Sequence, residues 1–167
     1  MAIRRIVHYG HPALRKVSEP VEKIDEEVKK LVQDMFNTLR RARGLGLAAP
    51  QVAVNLRIFI VDLSQVDFDA EPQVFINPVI VEKKGEYTDE EGCLSFPGLY
   101  FDVTRAESIV MEYQDLDGSK KTISASGMAA KAIQHEYDHL EGVLFIDYLS
   151  AAERDLFAGK LRRIKVG

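Results

Sequence analysis

The sequence has only one cysteine, Cys93, so no disulfide can form within the chain. A lone thiol is typical of a reducing compartment, where it serves as a metal ligand, a nucleophile or a small buried apolar group. The sequence also lacks an apolar run long enough to cross a membrane, and residues 1–8 contain no apolar signal core. We therefore expect a soluble, cytoplasmic protein that makes no membrane contact.

The chain has no excess of basic residues either: 22 Lys and Arg stand against 26 Asp and Glu, giving a net charge of −4 at pH 7. Proteins that bind nucleic acid usually carry a clustered basic face, so recognition of a specific nucleic-acid sequence is not expected. No repeat, low-complexity segment or linker divides the 167 residues. We therefore expect one domain over residues 1–167.

Three segments have the pattern of helices. Apolar residues at helical spacing predict a helix over about residues 25–43. Residues 127–141 contain few helix breakers and are followed by Gly142, a good helix stop, so they predict a second helix. Ser150 begins a capping box and predicts a last helix, with Leu156, Leu161 and Phe157 as the residues that face inward.

Short apolar runs between the first two helices predict β-strands. These strands are expected at residues 58–61, 74–76, 79–81, 108–113 and 120–124. Pro78 separates the second from the third, and Asp117-Gly118 is a hairpin signal between the last two. The order of elements indicates an α+β fold, with antiparallel or mixed β-sheets packed around a central helix at 127–141, an N-terminal helix and a C-terminal helix.

The helix predicted at residues 127–141 carries HExxH. His135 and His139 are four residues apart, so both imidazoles lie on one face and can bind a single metal ion. Glu136 follows the first histidine and is placed to accept a proton from a water molecule at that ion. The alternative is a buried histidine pair beside a solvated carboxylate.

Cys93 is the natural third ligand, since a catalytic metal site usually has three protein ligands and an open position. Gly92 before it would let the backbone approach closely. The alternative is a small buried apolar group. His8 and His11 are weaker candidates that fit surface or capping roles, and the acidic pair 89–90 fits a solvated turn.

HExxH and the cysteine lie within longer stretches. These are residues 44–51 (GLGLAAPQ), residues 91–95 (EGCLS) and residues 134–142 (QHEYDHLEG). Together, and in this order, they resemble the three signature motifs of the peptide deformylase family. Residues 9–15 are similar to the N-terminal turn of that family, so the likeness covers about residues 3–149 and is far more specific than HExxH alone.

The resemblance implies a metal-dependent hydrolase that removes the N-formyl group from the formylmethionine of new polypeptides and releases formate. It implies one divalent metal ion held by Cys93, His135 and His139, with Glu136 as general acid and base. Fe2+ is the ion expected in the cell, and Zn2+, Ni2+ or Co2+ could bind in the purified protein. The expected partners are N-formylmethionyl nascent peptides.

The same resemblance assigns stabilisation of the reaction's oxyanion to the Gln51 side-chain amide and the Leu94 backbone N–H. Gly46 would let the first motif lie close to the substrate and bind it through the backbone. The alternative for that loop is a tight packing turn.

Methionine recognition calls for an apolar pocket beside the metal. Met128 and Ala132 precede His135 by seven and three residues and are expected to line it, with Leu45 closing the other side. Lys131 departs from the family pattern, because an apolar residue is common at this position. Its stem would line the pocket while its ammonium group turns outward.

Two further expectations rest on position in the family. Arg105 would pair with Glu91 and brace the cysteine turn, and the basic residues at 162–165 would give a transient ribosome contact or simply complement a helix dipole. The competing functions are an HExxH zinc endopeptidase and an inactive metal-binding module. No further ligand pattern follows His139, which disfavours the first, and a structural module has no use for Glu136.

Overall fold

The computed structural model describes residues 2–166. Within this range the chain forms three α-helices: α1 (Glu26–Ala42), α2 (Gly127–Leu140) and α3 (Ala151–Arg163). It also forms short 3-10 helices at Pro12–Leu14, Ala49–Val52 and Phe145–Tyr148. All three predicted helices are confirmed. None of the described helices combines the length and the apolar character needed to span a membrane.

The described strands form two sheets whose pairings are all antiparallel. The strands are β1 (Gly46–Ala48), β2 (Ile58–Val61), β3 (Gln73–Lys84), β4 (Tyr87–Cys93), β5 (Phe96–Arg105), β6 (Ser108–Gln114) and β7 (Lys120–Ser126). The larger sheet has the order β1-β2-β3-β6-β7, and β4 pairs with β5 in the smaller one. The fold is therefore α+β with antiparallel sheets, as predicted, and the β6–β7 hairpin is confirmed.

Helix α1 forms because a cap and an apolar stripe act together. The Asp25 side chain accepts a hydrogen bond from the Val28 N–H (3.0 Å), and two glutamates occupy the first turn, where the helix dipole favours negative charge. Its buried residues include Leu31, Val32, Met35 and Leu39, which share one core cluster with Ile58 and Ile60 of β2. This stripe packs α1 against the larger sheet.

Strand β3 differs from the prediction of two separate strands. It runs through Pro78 without ending, because a register shift against β6 lies between Ile76 and Val79. Proline donates no N–H to a ladder and is tolerated at such a bulge. Asn77 there has φ 50°, and its side-chain amide bonds the backbone N–H and C=O of Val21. The irregular residue is thus held by its own side chain.

Strands β4 and β5 correct the expectation of a solvated acidic turn at residues 89–90. Residues 87–93 and 96–105 form a hairpin, and the turn is confined to Leu94 and Ser95. Phe96 and Phe101 of β5 are buried in a second core cluster, where Phe101 stacks on Phe145 and Phe96 meets the same ring edge-on. The sequence pattern does not indicate a strand at β4 because three of its residues are acidic. The residues that pair with two of these acidic side chains lie elsewhere in the chain.

Helix α3 begins with the predicted capping box between Ser150 and Glu153. Leu161 is buried and Phe157 packs beside it, but Leu156 is 82% exposed, so the expectation that it faces inward is wrong. Leu161 and Phe157 are four residues apart and define one face, whereas Leu156 lies about 100° around the helix from Phe157. Only a narrow face of α3, the one that carries Phe157 and Leu161, packs against the core.

Candidate metal centre

Two elements bring three ligand-type side chains together. Helix α2 carries His135 and His139 one turn apart, and Cys93 stands at the end of β4. One ligand atom from each of these residues lies within 4.8 Å of the others. Both histidines are buried and Cys93 is half-buried. A thiolate and two imidazoles this close together can ligate a single divalent ion, so the residues present fit the metal that the sequence predicts.

His135 is oriented from behind by a buried ion pair. Glu91 Oε1 lies 2.9 Å from His135 Nδ1, which leaves Nε2 to face the other two ligands. Arg105 donates two hydrogen bonds to the same carboxylate, at 2.5 and 2.9 Å, and one to Asp138 Oδ2 at 2.9 Å. The expected pairing of Arg105 with Glu91 is confirmed. A carboxylate behind a ligand histidine fixes both its ring orientation and its tautomer.

Three buried side-chain polar atoms have no hydrogen-bond partner in the part of the chain that the structure describes, and two of them, Glu136 Oε1 and His139 Nδ1, belong to this site; the third is Ser18 Oγ. The other ring nitrogen, His139 Nε2, lies 3.5 Å from Cys93 Sγ. Buried polar groups in proteins are rarely left unpaired. A carboxylate oxygen aimed into a closed site in this way is suited to hold a water molecule or a substrate atom.

The electrostatics of the site differ between neighbouring groups. Burial raises the pKa of Glu136 to about 7, with the nearby negative charge of Glu91 adding to the effect and the positive charges of His135 and Arg105 opposing it. Burial, and then the proximity of positive charge on His135, lowers the pKa of His139 well below its usual value, which keeps that imidazole neutral and able to ligate.

His135 has the opposite shift. Burial works against its charged form, yet the negative charges of Cys93, Glu136 and Glu91 raise its pKa well above the usual value. Burial also disfavours the Glu91 carboxylate, but its bonds with His135 and Arg105 keep its pKa below the usual value. The negative groups around His135 therefore favour a positive charge at that position, and a bound cation would supply one.

Gln51 borders the centre with a fixed amide. Its Oε1 accepts the Ala48 N–H at 2.9 Å, so Nε2 turns toward Ser95 Oγ (3.1 Å) and Cys93 Sγ (3.6 Å). Leu94, in the turn after Cys93, lines the same space. The first motif and the cysteine motif thus meet as the sequence analysis requires.

Gly46 has no room for a side chain. A Cβ added there would lie 2.7 Å from Glu136 Oε2 and 2.8 Å from Glu136 Cγ, closer than real Cβ contacts come. Because position 46 is a glycine, the backbone of β1 can pass directly over the Glu136 carboxylate of α2.

A pocket of about 470 Å³ opens beside these groups. Leu45 and Ala132 line it, as predicted, together with Cys93, Glu136 and Gly46. Met128 does not appear among the described residues that line this pocket, and it is 37% exposed, so its contact with substrate stays a prediction. Met128 stands in the first turn of α2, two turns before His135.

Lys131 does line the pocket, but its ammonium group does not simply turn to solvent. Its side chain is only 13% exposed, and Nζ donates to Asp89 Oδ2 at 2.7 Å and to the Glu90 carbonyl at 3.1 Å. Asp89 is thus a partner for α2, which corrects its assignment to a solvated acidic turn. The ion pair links β4 to α2 across one wall of the pocket.

The N-terminal histidines stand apart from the ligand group. His11 Nδ1 accepts the Ala13 N–H and caps a 3-10 turn, as expected, and His8 Nδ1 lies 3.0 Å from the Lys165 carbonyl. Sequence reasoning missed the contact of Glu91 with His135. A signal was available, because residues two apart on a strand point to the same face, so Glu91 accompanies Cys93.

Comparison with known proteins gives one family throughout. Residues 3–155 match the family model described as Polypeptide deformylase. A peptide deformylase of Neisseria meningitidis is 47% identical over 163 residues, covering 98% of this chain and 96% of the relative. Another, from Afipia carboxidovorans, is 51% identical over 156 residues, covering 93% and 91%.

Solved structures agree. A crystal structure of a peptide deformylase from Legionella pneumophila superposes with a TM-score of 0.91 at 43% identity, covering 97% of this chain and 95% of that one. A peptide deformylase from Ehrlichia chaffeensis in complex with actinonin gives a TM-score of 0.91 at 38% identity, with 98% of each chain covered.

Proposed function

The chain belongs to the polypeptide deformylase family and is a metallohydrolase that removes the formyl group from N-formylmethionyl nascent peptides, and on this premise we propose which of its residues carry the reaction. The observation that carries the proposal is the convergence of Cys93, His135 and His139 beside the unpartnered carboxylate oxygen of Glu136.

The metal is one divalent ion held by Cys93, His135 and His139. Family resemblance favours Fe2+ in the cell, with Zn2+, Ni2+ or Co2+ able to replace it in the purified protein. When bound, the ion supplies Lewis acidity that activates water and polarises a carbonyl group. Glu91 holds the His135 ring in place for this role through its bond to Nδ1.

Glu136 is the general base and then the general acid. Its unpartnered oxygen faces the buried site and can take the proton of the attacking water. It then delivers that proton to the amine nitrogen as the formyl C–N bond breaks. One carboxylate thus serves both steps, and Gly46 passes close to its other oxygen.

Gln51 and Leu94 stabilise the negative oxygen that develops on the formyl carbon. Gln51 supports this role because the Ala48 N–H holds its Oε1, so Nε2 is oriented before the substrate arrives. Leu94 contributes its backbone N–H from the turn next to Cys93. Gly46 binds the peptide backbone, while Leu45 and Ala132 contact the first side chain.

The remaining proposals concern the whole protein. We assign residues 1–167 to one catalytic domain that acts in the cytoplasm, with the sheets arranged around α2. The basic residues Arg162, Arg163 and Lys165, in and after the last turn of α3, make a transient contact with the ribosome, where nascent substrates emerge.

The test is formate release from formyl-Met-Ala-Ser by anaerobically purified, iron-loaded protein, beside its Glu136→Ala variant. Release by the parent and loss in a variant that still binds metal would support both the reaction and the base. Cleavage of internal peptide bonds without formate release would point to an endopeptidase. No hydrolysis of either substrate by protein with metal at the three ligands would leave a metal-binding module.

A further inference from the structure

One wall of the pocket is polar where a thioether side chain would call for apolar contacts. Lys131 supplies it: its stem is packed against the protein, and its ammonium group is held at the pocket by Asp89 Oδ2 and the Glu90 carbonyl. Asp89 is 38% exposed, so the ion pair stands at the junction of pocket and solvent. The charge is therefore fixed in position rather than free to swing away.

The Lys131 ammonium group has more N–H donors than it has acceptors in the protein. A lysine ammonium carries three N–H donors, and two of them have acceptors in Asp89 and Glu90. The third N–H donor of Lys131 has no acceptor among residues 2–166. A side chain that enters the pocket and carries an acceptor oxygen can take that donor.

Lys131 stands at the right depth for such a contact. It precedes His135 by four residues, one turn of α2 and about 6 Å along the helix axis. This inference rests on the proposed function, in which the formyl group lies at the three ligands and the first side chain of the peptide fills the pocket. The end of that side chain then reaches the level of Lys131.

We propose that Lys131 makes this enzyme accept peptides whose first residue is N-formylmethionine sulfoxide as well as N-formylmethionine. The thioether of methionine is a weak acceptor, whereas oxidation gives its sulfur a polar oxygen on a side chain of nearly the same length. The spare donor of Lys131 binds that oxygen. The reaction is the same hydrolysis: water adds to the formyl carbon, the C–N bond breaks, formate and a free amine form, and the sulfoxide is unchanged.

An apolar pocket would reject the oxidised side chain. Burying a polar group without a hydrogen bond weakens binding roughly 10- to 100-fold. A charge-assisted hydrogen bond from Lys131 removes most of that penalty. The quantity that tests the proposal is therefore the ratio of KM for the sulfoxide peptide to KM for a peptide of the same length with no acceptor.

The experiment uses the metal-loaded full chain with formyl-norleucyl-Ala-Ser, formyl-Met-Ala-Ser and each sulfoxide epimer of formyl-Met-Ala-Ser, with formate release as the signal. In the parent, we expect at least one epimer to have a KM within about 3-fold of the norleucyl peptide. In Lys131→Met the KM ratio should rise about 10-fold or more, with the kcat ratio changing less, because the lost contact acts on binding.

Lys121→Met is the matched control. Lys121 also donates to a carboxylate, that of Asp115 at 2.6 Å, but it belongs to the β6–β7 hairpin outside the pocket. Its KM ratio should equal that of the parent. Asp89→Asn keeps the ammonium group while weakening the tie between β4 and α2, so it should retain the low ratio even if all KM values shift together.

Two results would overturn the inference while leaving the deformylase reaction intact. The first is a ratio of sulfoxide KM to norleucyl KM of about 10 or more in the parent for both epimers. The second is a Lys131→Met ratio equal to that of the parent. A KM ratio in Asp89→Asn as high as that in Lys131→Met would also overturn the inference. The ion pair between β4 and α2, and not the N–H donor of Lys131, would then be responsible for the low ratio of the parent. If the parent releases formate from none of the peptides, the proposed function fails, and this inference fails with it.

Discussion

Helix α2 and strand β4 both contribute to the candidate metal centre, but they position their residues by different means. In α2, His135, Glu136 and His139 are placed by the helix itself, whose hydrogen bonds close within four residues. In β4, Cys93 and Glu91 are placed by pairing with β5 and by ion pairs to residues far along the chain. The residues that α2 contributes, the helical half of the centre, are thus positioned by local structure. The residues that β4 contributes, the strand half, depend on a few ion pairs with other elements.

The strongest way to break the strand half is to remove Arg105. Arg105→Met would leave the Glu91 carboxylate buried and without its main partner, which should lower the free energy of unfolding by about 3–5 kcal/mol. Both side chains are only 3% exposed. Urea denaturation of the metal-loaded protein measures the change.

Arg15→Met is the matched control for that variant. Arg15 also pairs with a carboxylate through two nitrogens, but its side chain is 44% exposed and that of Asp147 30%. The loss should stay near 1 kcal/mol or less. Equal losses in the two variants would contradict the view that burial makes β4 dependent on Arg105.

A milder change to the strand half is Glu91→Gln, which keeps the shape of the side chain but removes the charge behind His135. Replacing a carboxylate that orients a ligand histidine should weaken metal affinity about 10- to 100-fold. Competition with a chelator measures the affinity. Asp102→Asn on the exposed face of β5 serves as control, and unchanged affinity in both variants would remove Glu91 from the positioning of the ligand.

The helical half can be tested where it attaches to the sheets. The Gln134 side chain accepts the Ala106 N–H at 3.1 Å and donates to the Ala106 carbonyl at 2.9 Å. Gln134→Leu leaves these backbone groups unpaired and should reduce the free energy of unfolding by about 1–3 kcal/mol. Because the helix itself places the ligands, metal content should remain at one ion per chain. Loss of the metal along with stability would show that α2 also needs its docking contact.

The smallest effect is expected in α3, which belongs to neither half. Leu156 is 82% exposed, so Leu156→Gln should change the free energy of unfolding by no more than about 0.5 kcal/mol. Thermal unfolding provides the measurement, and the variant gives the baseline for the others. A larger loss would mean that Leu156 is covered by a contact in solution.

Much of the fold could be predicted because its elements carry local signals. The cap at Asp25, the Asp117-Gly118 turn and the capping box at Ser150 are each complete within a few residues, and all three appear in the structure. The HExxH spacing likewise brings its two histidines together once a helix forms. The strands β4 and β5 escaped prediction because charged residues of β4 are satisfied by partners elsewhere in the chain.

The sequence by itself determined the α+β class, the helix that carries HExxH and the residue types of the candidate site. Tertiary structure decided that Glu91 meets His135 across 44 residues, and that Asp89 holds Lys131 across 42 at the wall of the pocket. Helical contacts recur every three or four residues and can be read locally. Strand pairs and buried ion pairs join distant residues, so they exist only once the sheets have formed.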